Sequence, residues 1–254
     1  MNDALEVLYQ DGDLIAVNKP AGLLVHRGER DAPETKPLLQ RLRDQLGQHV
    51  YPIHRLDRMT SGVILLALNS ETASKMVDLW RERDVEKRYL AVVRGYFPEH
   101  CYLDFSMSPP IDKFKRNPKV KPPQEAITDF YCLGQTEIPV AIDKYPQSRY
   151  SLVEALPKTG RKHQIRRHLK HLSHPIVGDT RYGKGKHTQY FRDHFHVRDQ
   201  AGGPQMLLHA WKLSFEHPYS GQSMKVIAPL DDVWLSIINR FSWQSSLPAG
   251  LEDR

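Results

Sequence analysis

One nine-residue stretch carries the side chains with most chemical promise: HRLDRMTSG, at residues 54–62. Its single carboxylate, Asp57, stands between Arg55 and Arg58 and precedes the apolar run 63–68, which is typical of a buried strand. A guanidinium beside a carboxylate favours its ionised form, and an ionised, positioned carboxylate is what a nucleophile requires. The structural alternative is an aspartate that only caps the turn.

A second stretch supplies concentrated positive charge. Residues 161–174, RKHQIRRHLKHLSH, contain five Lys or Arg and four His residues and no acid. Ile165, Leu169 and Leu172 recur at i, i+4 and i+7, which predicts a helix with one buried stripe and its remaining side chains towards anions. A further run without acids, KFKRNPKVK at 113–121, lies among prolines. Two such patches suit contacts with phosphates.

Several other chemistries lack their residues. A glycosidase needs a second acid that converges on Asp57, and none is evident. The histidines of 161–174 do not follow the HExxH pattern and have no acid beside them, so a surface or RNA-facing helix is favoured over a metal site. Phosphate-binding glycine motifs are missing, and HRLD departs from the kinase catalytic loop.

Composition indicates a folded, soluble protein. The 254 residues are 40% hydrophobic and 26% charged, with a net charge of +6 and a pI near 9.2. No run approaches the about 18 apolar residues of a membrane span, and the acidic N-terminus is unlike a signal peptide, so we expect a cytoplasmic protein. Two cysteines are too few for a disulfide framework. We expect one domain over 1–254, with a flexible tail over 243–254.

The pattern of apolar and turn residues predicts a strand-rich chain with a few helices. A hairpin opens the chain, and a helix behind an Asn69/Ser70 cap follows the Asp57 strand. The predicted elements are strands at 7–9, 14–17, 63–68, 87–97, 149–157 and 206–218, helices at 36–47, from 70 and after 160, and long loops at 108–125 and 178–204.

Together these stretches resemble the RluA family of pseudouridine synthases over about residues 5–235. The matching motifs, in the family's order, are NKPAG at 18–22, HRLDRMTSG at 54–62, KRYLAVVRG at 87–95, PKTGRKHQIRRHL at 157–169, HPIVGD at 174–179 and LLHA at 207–210. The resemblance implies an α+β fold, with a mixed, mostly antiparallel sheet, flanking helices and a central active-site cleft. It also implies isomerisation of uridine in RNA without a cofactor or a metal.

The resemblance assigns catalytic roles by position. Asp57 matches the catalytic aspartate, which acts at C1′ or C6 of the nucleotide or as a base at the ribose. Arg166 matches the basic residue that pairs with it, and Tyr89 matches the tyrosine that packs against the target base. Arg55 matches the arginine that fills the space left by the extruded nucleotide. His54 and His209 are expected to be buried hydrogen-bonding residues.

Within the family the chain is most similar to members that modify uridine 65 of tRNA. We therefore expect tRNA as the partner, with no membrane, no metal, no N-terminal S4 domain and a monomeric state. The predicted RNA-binding residues are Arg55, Arg58, Lys19, Lys113, Lys115, Arg116, Arg161, Lys162 and Arg167. Three alternatives stay open: a relative acting on rRNA or on both RNAs, a non-catalytic RNA-binding module and a metal-dependent hydrolase.

Overall fold

The computed structural model describes residues 4–28, 35–109 and 121–251. Within them the strands are β1 (Glu6–Gln10), β2 (Leu14–Lys19), β3 (Tyr51–Pro52), β4 (Ser61–Ala67), β5 (Glu86–Arg94), β6 (His100–Asp104), β7 (Ile127–Ile138), β8 (Ser148–Pro157), β9 (Leu208–Glu216) and β10 (Ser223–Ile227). The helices are α1 (Leu38–Leu46), α2 (Ser70–Glu82), α3 (Gln164–His171), α4 (Gly185–His194) and α5 (Asp232–Arg240). The predicted α+β class is confirmed.

All ten described strands join one mixed sheet. The main order is β1-β2-β4-β9-β5-β8-β7-β6, with β3 beside β4 and β10 beside β9. Among the described pairs only β4 and β9 run parallel, so the sheet is mostly antiparallel as predicted. A strand from late in the chain, β9, therefore lies between β4 and β5 and joins the early strands to the later ones.

Three apolar clusters fix the helices on this sheet. The first packs α1 and α2 against β2 and β4. The second packs α4 and α5 against β5, β8 and β9, and the third packs α3 against neighbouring positions of the same strands. Leu90 and Leu152 belong to the second cluster, whereas Ala91 and Val153 belong to the third. Because strand side chains alternate between faces, α3 lies on the face opposite α4 and α5.

The parallel pairing requires a glycine at the start of β4. Gly62 pairs with Ala210 of β9 and has a φ of +109°. A Cβ at this position would lie 2.2 Å from the carbonyl oxygen of Ala210, closer than any real contact. The backbone of β4 therefore approaches β9 at a point that admits no side chain. This contact anchors the end of the HRLDRMTSG loop above β9.

Two predicted segments differ from the structure. Within the predicted loop 178–204 lies α4, of which only His187 and Phe191 are buried, so its sequence carries little helical periodicity. The predicted flexible tail is packed in its described part, 243–251, where Trp243, Leu247 and Leu251 are buried in the second cluster. None of the described helices is long and apolar enough to cross a bilayer.

Candidate active site

Asp57 lies in the loop that enters β4. The loop is anchored by buried Leu56 and closed by a turn in which the Thr60 N–H donates to the Asp57 carbonyl at 3.1 Å. These contacts leave the Asp57 side chain 27% exposed. Its carboxylate is thus held firmly at its base while remaining open to solvent on one side.

The guanidinium that pairs with Asp57 comes from the opposite half of the chain. Arg166 Nη1 donates to Asp57 Oδ2 at 2.8 Å, although 109 residues separate the two. α3 packs its buried stripe of Ile165 and Leu169 into the third cluster, which points Arg166 towards the loop. The sequence prediction that Arg166 lies beside Asp57 is confirmed by this contact.

A buried carboxylate orients the same guanidinium. Asp179 is 1% exposed and accepts from Arg166 Nε at 2.8 Å and from Nη2 at 2.9 Å. Its Oδ1 also accepts the backbone N–H groups of Arg181 and Tyr182. Burial alone would raise the pKa of Asp179, but these bonds and the charge of Arg166 lower it. Burial opposes the charge of Arg166 too, yet both carboxylates raise its pKa, so the arginine stays charged.

Tyr89 lies at the junction of the first and third clusters. It is half-buried in β5, where it pairs with Ala155 of β8 and Ala210 of β9 beside a bulge. Burial first, and the charge of Asp57 second, raise the pKa of Tyr89. The phenol therefore stays protonated at neutral pH and lies within the field of Asp57. Its hydroxyl has no hydrogen-bond partner among the described residues.

The free side of Asp57 faces a histidine that the sequence reasoning assigned only to a surface helix. His163 Nε2 lies 3.7 Å from Asp57 Oδ1, and His163 Nδ1 lies 3.0 Å from the Tyr182 hydroxyl. The Tyr182 ring lies edge-on to His163 and also lies against the guanidinium of Arg166. The only sequence signal was the position of His163, three residues before Arg166.

Lys19 was predicted to contact RNA, but the structure buries it. It is fully buried and pairs with Gly62 in β2–β4, so its side chain points inwards. Its ammonium donates to the carbonyls of Pro20 and Leu23 at 2.9 Å and of Arg58 at 3.0 Å. Burial lowers its pKa to about 7, while Asp57 opposes and Arg58 reinforces the shift. Lys19 therefore fastens the NKPAG corner to the Asp57 loop.

The other predicted RNA-binding residues fall into three groups. Arg55, Arg58 and Lys162 are exposed; Arg55 donates to His26 Nε2 at 3.2 Å and Arg58 to the Gly22 carbonyl at 3.0 Å. Arg161 and Arg167 donate to the backbone carbonyls of Glu125 and Ser108 at 2.9 and 3.0 Å. Lys113, Lys115 and Arg116 lie outside the described residues. Exposed Arg181 was not predicted, and it lies against the Tyr182 ring.

Several histidines have structural roles. His54 accepts the Leu65 N–H at 3.0 Å and stacks on Trp80, and burial lowers its pKa to about 3. His209 contacts Ser61 Oγ at 2.8 Å and the Ala228 carbonyl at 3.1 Å, so both predictions of hydrogen-bonding histidines are confirmed. His168 was wrongly predicted to face anions. It is fully buried, because β7 and Phe105 close over that side of α3.

Comparisons with known proteins place this geometry in a family. The RNA pseudouridylate synthase family model matches residues 13–171. A protein of Vibrio vulnificus named tRNA pseudouridine synthase C is 48% identical over 96% of this chain and 98% of its own. A protein of the same name from Pasteurella multocida is 49% identical over 94% of this chain and 97% of its own.

Solved structures agree. The structure of human RNA pseudouridylate synthase domain containing 1 covers 90% of this chain and 84% of its own, with a TM-score of 0.67 and 25% identity. That of domain containing 4 covers 93% of both chains with a TM-score of 0.65 and, at 24% identity, shows the fold. Both confirm the fold that the resemblance to the RluA family implied. This chain belongs to the RNA pseudouridylate synthase family.

Proposed function

We propose that this protein converts uridine 65 of tRNA to pseudouridine, in the cytoplasm and as a monomer, without a metal or an organic cofactor. The observation that carries the proposal is the 2.8 Å contact between Asp57 Oδ2 and Arg166 Nη1. It positions a carboxylate on a partly exposed loop, and the arginine contacts Oδ2 and leaves Oδ1 free of its own N–H groups. Such a group can act on a nucleotide that enters from solvent.

The isomerisation is balanced within the substrate. The N1–C1′ bond breaks, the base turns, and a C5–C1′ bond forms. C5 loses its proton to solvent and N1 gains one, so no oxidant, reductant or co-substrate is consumed. Asp57 is the catalytic residue that acts on the extruded uridine, and Arg166 holds its carboxylate in position. Tyr89 packs against the base, with its phenol protonated.

Extrusion of the uridine explains the basic rim of the site. Unstacking a nucleotide costs a few kcal/mol, which contacts elsewhere must offset. Arg55 is exposed and, among the described residues, contacts His26, so its planar cation can occupy the space that the uridine leaves. Three further cations are exposed: Arg58 in the Asp57 loop, Lys162 just before α3, and Arg181 after Asp179. Each can contact a phosphate of the RNA. The relatives named tRNA pseudouridine synthase C support tRNA as the RNA that this surface binds.

The test is tritium release from transcripts labelled at C5 of uridine, together with mapping of the modified position. We expect one equivalent of tritium per tRNA, pseudouridine at position 65, and no release from a transcript with cytidine there. D57N should bind the same tRNA and release no tritium, because the amide carries no charge. Release only from rRNA would contradict the tRNA assignment, and normal turnover by D57N would contradict the role of Asp57.

A further inference from the structure

The oxygen of Asp57 that Arg166 leaves free faces a polar side chain in the described part of the chain, that of His163. Oδ2 accepts from Arg166 at 2.8 Å, whereas Oδ1 lies 3.7 Å from His163 Nε2. The second nitrogen of the ring, Nδ1, lies 3.0 Å from the hydroxyl of Tyr182. The imidazole thus lies between a hydroxyl and the candidate catalytic carboxylate, and the function proposed above gives it no role.

The backbone does not account for this placement. His163 precedes the first turn of α3 with a φ of +57°, in the left-handed region that is costly for residues other than glycine. Its side chain makes no capping hydrogen bond to the helix. A residue chosen only to begin α3 would be Asn, Asp or Ser, which cap helices well. The histidine side chain therefore contributes something other than the helix start.

The tautomer of His163 decides the sign of its interaction with Asp57. A neutral imidazole carries one N–H, and its other nitrogen presents a lone pair. If Nδ1 accepts the Tyr182 hydroxyl proton, Nε2 carries the N–H and directs it at Oδ1. The opposite tautomer would aim a lone pair at the carboxylate, which is repulsive. The charge of Asp57 favours the first arrangement, and so do the cations against the Tyr182 ring, Arg166 and Arg181.

Burial, aided by nearby cations, keeps the His163 ring neutral. Burial lowers the pKa of His163; Asp57 opposes this shift, and Arg166, Lys162 and Arg181 reinforce it. At neutral pH the imidazole therefore has an acceptor nitrogen to offer Tyr182. The 3.7 Å separation exceeds a hydrogen bond, so the Nε2–H acts on Oδ1 as a directed dipole. Oδ1 is attracted by this dipole without accepting a hydrogen bond, so its lone pairs stay available for reaction with the substrate.

We propose that His163 is a positioning residue for Asp57, held in its Nε2–H tautomer by Tyr182. Arg166 by itself donates to one oxygen, Oδ2, which leaves the carboxylate able to rotate about the Cβ–Cγ bond of Asp57. The His163 dipole fixes that rotation with Oδ1 on the open side. This inference rests on the proposed function, since it concerns the same carboxylate.

Two isosteric substitutions separate the positioning role from a structural one. In H163Q the amide nitrogen occupies the place of Nε2 and can still donate towards Oδ1. In H163N the amide reaches only the place of Nδ1, so the donor towards Asp57 is lost, while asparagine tolerates the left-handed backbone better. We expect H163Q to retain most of the single-turnover rate with a lower Tm. We expect H163N to lose about 10- to 100-fold in that rate with an unchanged or higher Tm.

Both variants should bind tRNA with the wild-type Kd, and H194Q, which alters an exposed histidine of α4, should match the wild type in rate. Rate and stability then move in opposite directions, which a merely structural histidine would not produce. Equal rates for H163N and H163Q, or rates that follow the Tm values, would overturn the proposal.

The tautomer can be measured without any RNA. Nitrogen-15 NMR of the full-length protein, with His163 assigned by difference from H163Q, should show a protonated Nε2 and a bare Nδ1. In Y182F the two tautomers should mix, and the single-turnover rate should fall by about tenfold. A wild-type Nδ1–H tautomer overturns the inference even where tritium release is normal. Absence of tritium release from every RNA instead overturns the proposed function and leaves the tautomer result standing.

Discussion

Arg166 connects two carboxylates that differ in exposure. Asp179 is 1% exposed and occupies two of the arginine's N–H groups, whereas Asp57 is 27% exposed and occupies a third. The bidentate pair sets the plane of the guanidinium, and that plane sets the position of Asp57 Oδ2. Asp179 can therefore act on Asp57 through Arg166, and we expect it to be a positioning residue.

Replacing Asp179 tests this coupling. D179N removes one partner of a buried charge pair, so we expect the free energy of unfolding to fall by about 3–5 kcal/mol at pH 7. We also expect a lower single-turnover rate, because Arg166 loses its orientation. Urea unfolding and tritium release measure the two effects. The matched control is D193N, whose aspartate pairs with Arg192 at 36% exposure and whose loss should change stability by less than about 0.5 kcal/mol.

The pH dependence of the same pair has a definite sign. The folded-state pKa of Asp179 lies below its ordinary 3.8, so the stabilisation is fully present above about pH 4. It is lost as the pH falls through the folded-state pKa. The stability difference between wild type and D179N should therefore shrink in acid, and a difference that grows below pH 4 would contradict the assignment.

Among the elements, β4 depends on a backbone contact that only glycine allows. In G62A the new Cβ would meet the Ala210 carbonyl at 2.2 Å while the backbone keeps a φ of +109°. We expect the free energy of unfolding to fall by about 3 kcal/mol or more, as measured by denaturant melts. G12A is the matched control, since a Cβ there meets nothing within 4 Å and it should melt like the wild type. Equal melts for both variants would show that β4 and β9 do not pair as described.

Elements with a continuous core face could be predicted from the sequence. The apolar run predicted β4, the Asn69 cap predicted α2, and the Ile165/Leu169 stripe predicted α3. The sequence did not predict β6, β7 or α5, and it placed a loop where α4 lies. β6 and the second half of β7 are partly buried or exposed, and α4 buries two residues, so these elements carry few core positions. α5 does carry a helical signal, the Asp231 cap and the buried residues Trp234, Ile237 and Ile238, which the sequence reasoning did not use.

For the site, too, some residues could be assigned from the sequence and others could not. Asp57 and Arg166 were paired through the family resemblance, because a contact across 109 residues leaves no local pattern. Lys19 was predicted as an RNA contact because its burial depends on the partners that folding brings to it. His163 and Tyr182 were missed for the same reason, since neither residue type nor spacing reveals a shared hydrogen bond.

For the whole molecule, the described cations include exposed ones that can reach phosphates and buried ones that cannot. Lys162 is exposed just before α3, next to His163, whereas Lys19 is fully buried. K162Q should reduce the slope of log Kd for tRNA against log salt by about 0.7–1, because one phosphate contact is lost. K19M should leave the slope unchanged and lower the Tm instead. Filter binding across a salt series measures the slopes, and a reduced slope in K19M would return Lys19 to the RNA-binding surface.

The place of β9 in the sheet has a consequence for biosynthesis. Asp57 precedes β4 on one side of β9, while Tyr89 in β5 and Arg166 on α3 belong to the other. While residues 208–216 are not yet synthesised, the nascent chain contains β4 and β5 but lacks β9, the strand that pairs with both. The strand between β4 and β5 is thus synthesised after Asp57, Tyr89 and Arg166, so it must insert between two strands that precede it in the chain. Such long-range closure makes folding slow, because the entropy of a long loop is lost before the strand contacts form.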